Sequence, residues 1–170
     1  LKEALEFNQH VQEIGDYQLT SCCCPVWIAM IRKIYHELMP HVPGAVSPMV
    51  ASGRMIKRIC PDAVTVFVGP CLAKKKEARE PDIADAVDYV LTFQEVQDIF
   101  QAADIRPEEL QDDEKDHAST AGRRYARTGG VSQAVSEMVE QLCPGREISV
   151  VAEQANGTKE CMAMVKRIQE

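Results

Sequence analysis

Apolar positions fall at helical spacing from the start of the chain. Leu5, Phe7 and Val11 give Lys2 to Glu13 a modest helical pattern. Tyr17 to Thr20 is short and extended, and Pro25 suits the first turn of a second helix. That helix carries a stripe of Val26, Trp27, Met30, Ile31, Ile34, Tyr35 and Leu38 until Pro40 ends it. Ser47-Pro48 repeats a cap-then-proline start and opens a helix through Ile59. The period then changes. Residues 63–68, AVTVFV, are β-branched and almost continuously apolar, which predicts a buried strand breaking at Gly69-Pro70. AKKKEAREPDIAD, residues 73–85, is a polar loop on this reading, and VDYVLT, residues 87–92, a second strand. Thr92 and Glu95 form a capping box for a helix from Phe93 to Ala102.

Residues 107–119 are acidic and loop-like, with a short helical turn. Gly129-Gly130 leads into the helix of VSQAVSEMVEQL, Ile148 to Ala152 reads as a third strand, and Asn156-Gly157 turns into a helix from Lys159. Strands separated by helices predict an α/β fold. The expected architecture is two small lobes of mostly parallel sheet flanked by helices, with a cluster crevice between them. The lobes, residues 1–80 and 81–170, are expected to part near residues 76–86.

A net charge of −7 argues against gripping nucleic acid or an anionic membrane, both of which need basic patches. No apolar run approaches the roughly 20 residues of a membrane span, and the amphipathic opening is no secretory leader. With no initiator Met and no closing signal, the chain is expected to begin and end in mid-domain.

Seven cysteines at uneven spacing, Cys22, Cys23, Cys24, Cys60, Cys71, Cys143 and Cys161, fit a secreted disulfide framework poorly. Intracellular thiols fit better, either as metal ligands or as inert core residues. Two positions stand out. Cys24 precedes a helix N-terminus, where the dipole favours a thiolate. Cys71 lies just past the end of a strand, the usual edge for ligand sites in α/β sheets. One thiolate from each could share a soft metal cluster. Cys60, Cys143 and Cys161 are expected to be structural. By ordinary expectation Lys74, in a run of three lysines, would be solvated. Glu3 and Glu6 would face solvent too, while Trp27, Met30 and Met39 would be core.

LTSCCCPVW, residues 19–27, resembles the first signature of the [FeFe]-hydrogenase catalytic domain, T-S-C-C-P-x-W. VGPCLAKKKEA, residues 68–78, resembles the second, M-P-C-x-A-K-K-x-E. Ser47-Pro48, DIADAVDYVLTFQEV and ARTGGVSQAV extend the likeness over essentially the whole chain. The resemblance implies Cys24 and Cys71, the latter after Pro70, as ligands of the [4Fe–4S] part of an H-cluster, which also carries a two-iron subsite. It implies that Cys23 passes protons to that subsite and that Lys74 hydrogen-bonds a cyanide on its distal iron. Glu3 and Glu6 would be the carboxylates of the proton channel. Cys22 falls where the family has serine, unless the run holds a one-residue insertion.

Three departures qualify the likeness. Gly69 replaces a methionine that packs on the two-iron subsite. Pro43 stands where the proton relay has a serine, so that relay would need bridging water. Both resemble the sensory branch of the family. The third signature, E-x-x-x-C-x-G-G-C, which supplies the other two cubane cysteines, does not occur in the 170 residues. The resemblance thus implies a cytoplasmic hydrogenase domain running 2 H⁺ + 2 e⁻ ⇌ H₂ in a longer parent, either as an enzyme or as a hydrogen sensor. Its partners would be H₂ and protons, a redox partner such as ferredoxin or an attached iron–sulfur domain, and maturation factors. This chain alone is expected to be inactive, with no intact cluster. The alternative is a non-catalytic relative resembling the cytosolic iron–sulfur assembly factors.

Overall fold

The computed structural model describes residues 1–19, 22–111, 119–145 and 152–169. Most of the acidic stretch (112–118) and the third strand expected at 148–152, save its last residue, lie outside the described residues. The chain divides into two compact units, Leu1–Cys22 with Ala29–Ala45 and Asp116–Glu170, and Cys23–Ile28 with Val46–Lys115.

The first unit is helical throughout its described regular elements. Helix α1 (Lys2–Phe7) runs on as a π-helix over Asn8–Glu13. Three further helices, here α6 (Thr120–Tyr125), α7 (Gly130–Leu142) and α8 (Gly157–Gln169), belong to it. Ala4 and Phe7 of α1 lie three residues apart, and Val135 and Val139 of α7 lie four apart, so each pair shares one helix face. Together they form a buried cluster, with Val11, Val131 and Met138 packed against it. Helix α6 had no place in the sequence reading. Ser119 caps it by accepting from the Gly122 amide at 3.0 Å.

Helix α2 (Pro25–Ile34) ends earlier than its apolar stripe suggests. Tyr35 leaves helical geometry (φ −125°, ψ 48°), and His36–His41 forms a 3₁₀ helix that contains Pro40. Tyr35 and Leu38 stay buried despite the bend, as do Trp27, Met30 and Ile31 of the stripe, while Val26 and Ile34 are exposed.

The second unit holds the sheet. Helix α3 (Pro48–Ile59) is capped by the Ser47 hydroxyl. Strand β1 (Val66–Val68), helix α4 (Ala73–Glu77) and strand β2 (Tyr89–Leu91) follow, and α5 (Phe93–Ala102) begins at the expected Thr92–Glu95 capping box. The strands are parallel, with Val66 opposite Tyr89 and Val68 opposite Leu91. A parallel pair needs a crossover, and α4 lies on it. The expected α/β class therefore holds, with two corrections.

Among the described residues the sheet lies in the second unit. The parting expected at 76–86 falls inside this unit, because β1 and β2 pair across it. The strand expected over 63–68 is shorter and half-exposed. Thr65 turns its amide (2.7 Å) and hydroxyl (2.9 Å) to the Asp88 carboxylate, which takes over from the ladder at that end. Val64, Val66 and Val68 face solvent, while Phe67 and Val90 pack on Met49, Val50, Ala86 and Val87. Gly53 lets α3 approach this cluster closely. A Cβ there would sit 2.2 Å from the Ala86 carbonyl oxygen.

Candidate functional site

The lysine run is not a loop. Ala, Lys and Glu are good helix formers, and α4 begins where the Lys74 amide donates to the Cys71 carbonyl at 3.2 Å. The helix turns Lys74 inward. Its side chain is 12% exposed and pairs at 2.5 Å with Glu77, which is 11% exposed. The same ammonium donates to the Cys23 backbone carbonyl at 2.8 Å, across 51 residues of sequence. Lys74 thus touches both cysteine signatures, Cys71 through its amide and Cys23 through its side chain. The ordinary expectation of a solvated lysine is overturned here. It holds better for Lys76, which is exposed.

Cys24 lies at the mouth of α2, where its carbonyl accepts from the Ile28 amide at 3.0 Å. Cys23 and Cys24 are half-buried and Cys71 is exposed. Pro70, also exposed, follows Gly69, whose amide donates to the Leu91 carbonyl and closes the end of the sheet. Trp27, one helical turn beyond Cys24, is buried with no partner for its indole Nε1 among the described residues. At Gly69 the room left by the missing side chain is partly filled. A Cβ there would lie 2.8 Å from the Phe67 ring.

The carboxylates lie in the first unit. Glu3 is buried rather than solvent-facing, 7% exposed, and the Cys22 thiol donates to its Oε2 at 3.7 Å. Glu6 follows on the same face of α1, its side chain 26% exposed. It accepts from the Gly44 amide at 2.9 Å, and Lys2 donates to the Gly44 carbonyl at 2.6 Å. Pro43 has no N–H to offer, and the next residue supplies one to Glu6 instead.

The sequence of the whole chain, residues 1–170, matches the iron only hydrogenase large subunit, C-terminal domain. The chain belongs to the iron-only hydrogenase family. It is 29% identical over 164 residues to iron hydrogenase 1 of Clostridium pasteurianum, covering 87% of this chain and 29% of that protein. A cytosolic Fe-S cluster assembly factor of Mycosarcoma maydis is 31% identical over 109 residues, covering 51% of this chain and 13% of the other. Among solved structures, a single-residue variant of the [FeFe]-hydrogenase HydA1 of Chlamydomonas reinhardtii aligns with a TM-score of 0.66 at 28% identity, over 89% of this chain and 42% of that one. The chain therefore spans less than half the length of each of these relatives.

Hydrogenases of this family carry an H-cluster, and its fit to this chain is partial. A cubane takes four thiolates. The two signatures offer Cys24 and Cys71, and no three Cys, His, Asp or Glu side chains among the described residues gather to hold a metal ion. No cysteine forms a disulfide. Of the three expected to be structural, Cys143 lies near Asn8 and Cys161 near Ala155, both half-buried, but Cys60 is exposed at the end of α3. No described helix is long and apolar enough to cross a membrane.

Reasoning from sequence passed over two partners and one second role. Glu77 and Gly44 are the partners of Lys74 and Glu6. Glu95 holds Lys75 at 2.5 Å besides capping α5. Glu77 was visible as the last letter of the second signature. Gly44 could have been found only as the residue after a proline at a turn.

Proposed function

We propose that this chain is part of the catalytic domain of an iron-only hydrogenase whose full-length form interconverts 2 H⁺ + 2 e⁻ and H₂ in the cytoplasm. Cys24 and Cys71 would hold two corners of the cubane, which supplies electrons, with the remaining ligands outside this chain. The chain's own residues handle protons and position. Glu6, partly open to solvent, exchanges protons with water. Glu3, buried beside the Cys22 thiol, is the second carboxylate of this reading, and Cys23 is its thiol proton donor. Lys74 brings a fixed positive charge to the same signatures, suited to an anionic ligand. Redox partners of the ferredoxin kind and maturation factors follow from this reading.

Its main support is Lys74. A lysine about nine-tenths buried and bonded to both cysteine signatures is costly to keep, and its two contacts leave a third ammonium donor for an anionic ligand beside them. The test is hydrogen evolution by the full-length protein after maturation. Weak turnover is expected, and Cys23→Ala should reduce it about a hundredfold or more as the local proton donor is lost. An unaltered protein with a complete cluster and no turnover would refute the reading.

Gly69 and Pro43 favour a sensor over a high-flux enzyme. Restoring Met and Ser at these two positions should raise turnover. Because the Phe67 ring occupies part of the space beside Gly69, the methionine is best tested together with Phe67→Leu. The similarity to assembly factors supports a second, non-catalytic reading. On that reading Cys23→Ala would leave iron–sulfur content and function intact.

A further inference from the structure

We infer that Lys74 is the positioning residue of the Cys23–Cys24 segment, clamping the first cysteine signature to the second through protein atoms alone. Three observations carry this. The ammonium donates to the Cys23 carbonyl at 2.8 Å, and that carbonyl belongs to the residue immediately before Cys24. The Lys74 amide donates to the Cys71 carbonyl, so one lysine reaches main-chain atoms of both signatures. Glu77, one helical turn on, holds the ammonium at 2.5 Å in surroundings largely closed to bulk water, which fixes the direction of the side chain.

The geometry has a further consequence. An ammonium has three N–H donors in all, and these two contacts use two of them. Lys74 can therefore hold the segment and still offer a donor to a ligand. The backbone carbonyl is the essential partner. It has no side chain to exchange, so it fixes the path of the main chain at Cys23 whatever side chain stands there. Glu77 is the aiming partner. Only the meaning of the clamp for hydrogen chemistry rests on the proposed function; the clamp itself is a property of the chain.

The experiment is amide hydrogen exchange on the full chain, read by mass spectrometry. A charge-assisted bond to Cys23 should be worth about tenfold or more in local opening. Lys74→Met should therefore speed exchange at residues 23–28 by about that factor and leave α5 unchanged. Glu77→Gln keeps the bond to Cys23 and should give a clearly smaller rise. Unchanged exchange at 23–28 in Lys74→Met overturns the inference. Equal rises in the two variants also overturn it, because the ion pair alone would then account for the effect. If Lys74→Met also loses protection in α5, Lys74→Leu takes its place against Glu77→Gln, and the same two outcomes decide. A failed hydrogen assay on the unaltered protein would remove the proposed function and leave this result standing.

Discussion

Both units combine an apolar cluster with directed bonds between distant segments, Glu6 to Gly44 in the first for example, but in the second those bonds surround the cluster. In the first, Ala4, Phe7, Val135 and Val139 interlock between helices, a non-directional apolar contact. In the second, a cluster of similar size, Met49, Val50, Ala86 and Val87, is ringed by directed bonds between segments distant in sequence. Arg54 grips Asp85 at 2.8 Å, Lys57 holds Asp88 at 2.7 Å, Asp88 in turn holds Thr65, and Lys75 holds Glu95. The contrast follows from the sheet. Two strands of three residues bury too little to stand alone, so side chains finish the job that further strands would do. The second unit also carries Cys23, Cys24 and the whole second signature, and the Lys74 bond to the Cys23 carbonyl joins the two.

Substitutions can break this contrast at either side. The largest effect is expected from Phe7→Ala, which empties the centre of the apolar cluster and should cost about 3–5 kcal/mol in a denaturant titration. A loss below about 1 kcal/mol would mean that the first unit does not depend on that cluster. Gly53→Ala comes next, at about 1–3 kcal/mol, since its methyl meets backbone that cannot rotate away. Thr92→Ala should cost about 1 kcal/mol through the lost cap of α5.

The mildest perturbation is acid. The Lys57 ammonium and the Thr65 amide and hydroxyl hold the Asp88 carboxyl down at about 2, and the Lys75 ammonium with the Thr92 amide and hydroxyl does the same for Glu95. Both values are depressed in the folded chain, from an ordinary 3.8 and 4.5. The stability they contribute is thus fully present above about pH 4.5 and is lost as pH falls toward 2. Both groups lie near water, so screening keeps this contribution small. Trp27, the sole tryptophan, belongs to the second unit and should report it. Its fluorescence-detected melting point should stay level from about pH 7 to 5 and fall below about 4.5, and Asp88→Asn should flatten that fall. An equal fall in Asp88→Asn would show that other carboxylates are responsible.

Local chemistry made much of this legible in advance. Ser47-Pro48 and the Thr92–Glu95 box specify helix starts within four residues, and the structure keeps both. The two signatures singled out Lys74 along with Cys23, Cys24 and Cys71, and the structure bonds that lysine to both stretches. Long-range partners were not legible. Nothing near Thr65 says that Asp88 will take its amide and shorten the strand. Nothing in KKK says which lysine turns inward, because helical phase decides that, and α4 had been read as loop. Glu3 and Glu6 look alike in sequence, yet one is buried beside Cys22 and the other is pinned by a backbone amide after a proline.

Glu95 serves two masters. One carboxylate closes the first turn of α5 by accepting from the Thr92 amide and hydroxyl, and it also receives the ammonium of Lys75 from α4. The start of α5 and the middle of the lysine run are therefore joined at a single side chain. Effects at the two ends should not add: removing Lys75 frees Glu95 to cap more fully, and removing Thr92 frees it to pair more fully. A swap at position 95 strikes both helices at once. The five-residue helix that aims Lys74 is in this way moored, through its neighbour Lys75, to the first turn of a ten-residue one.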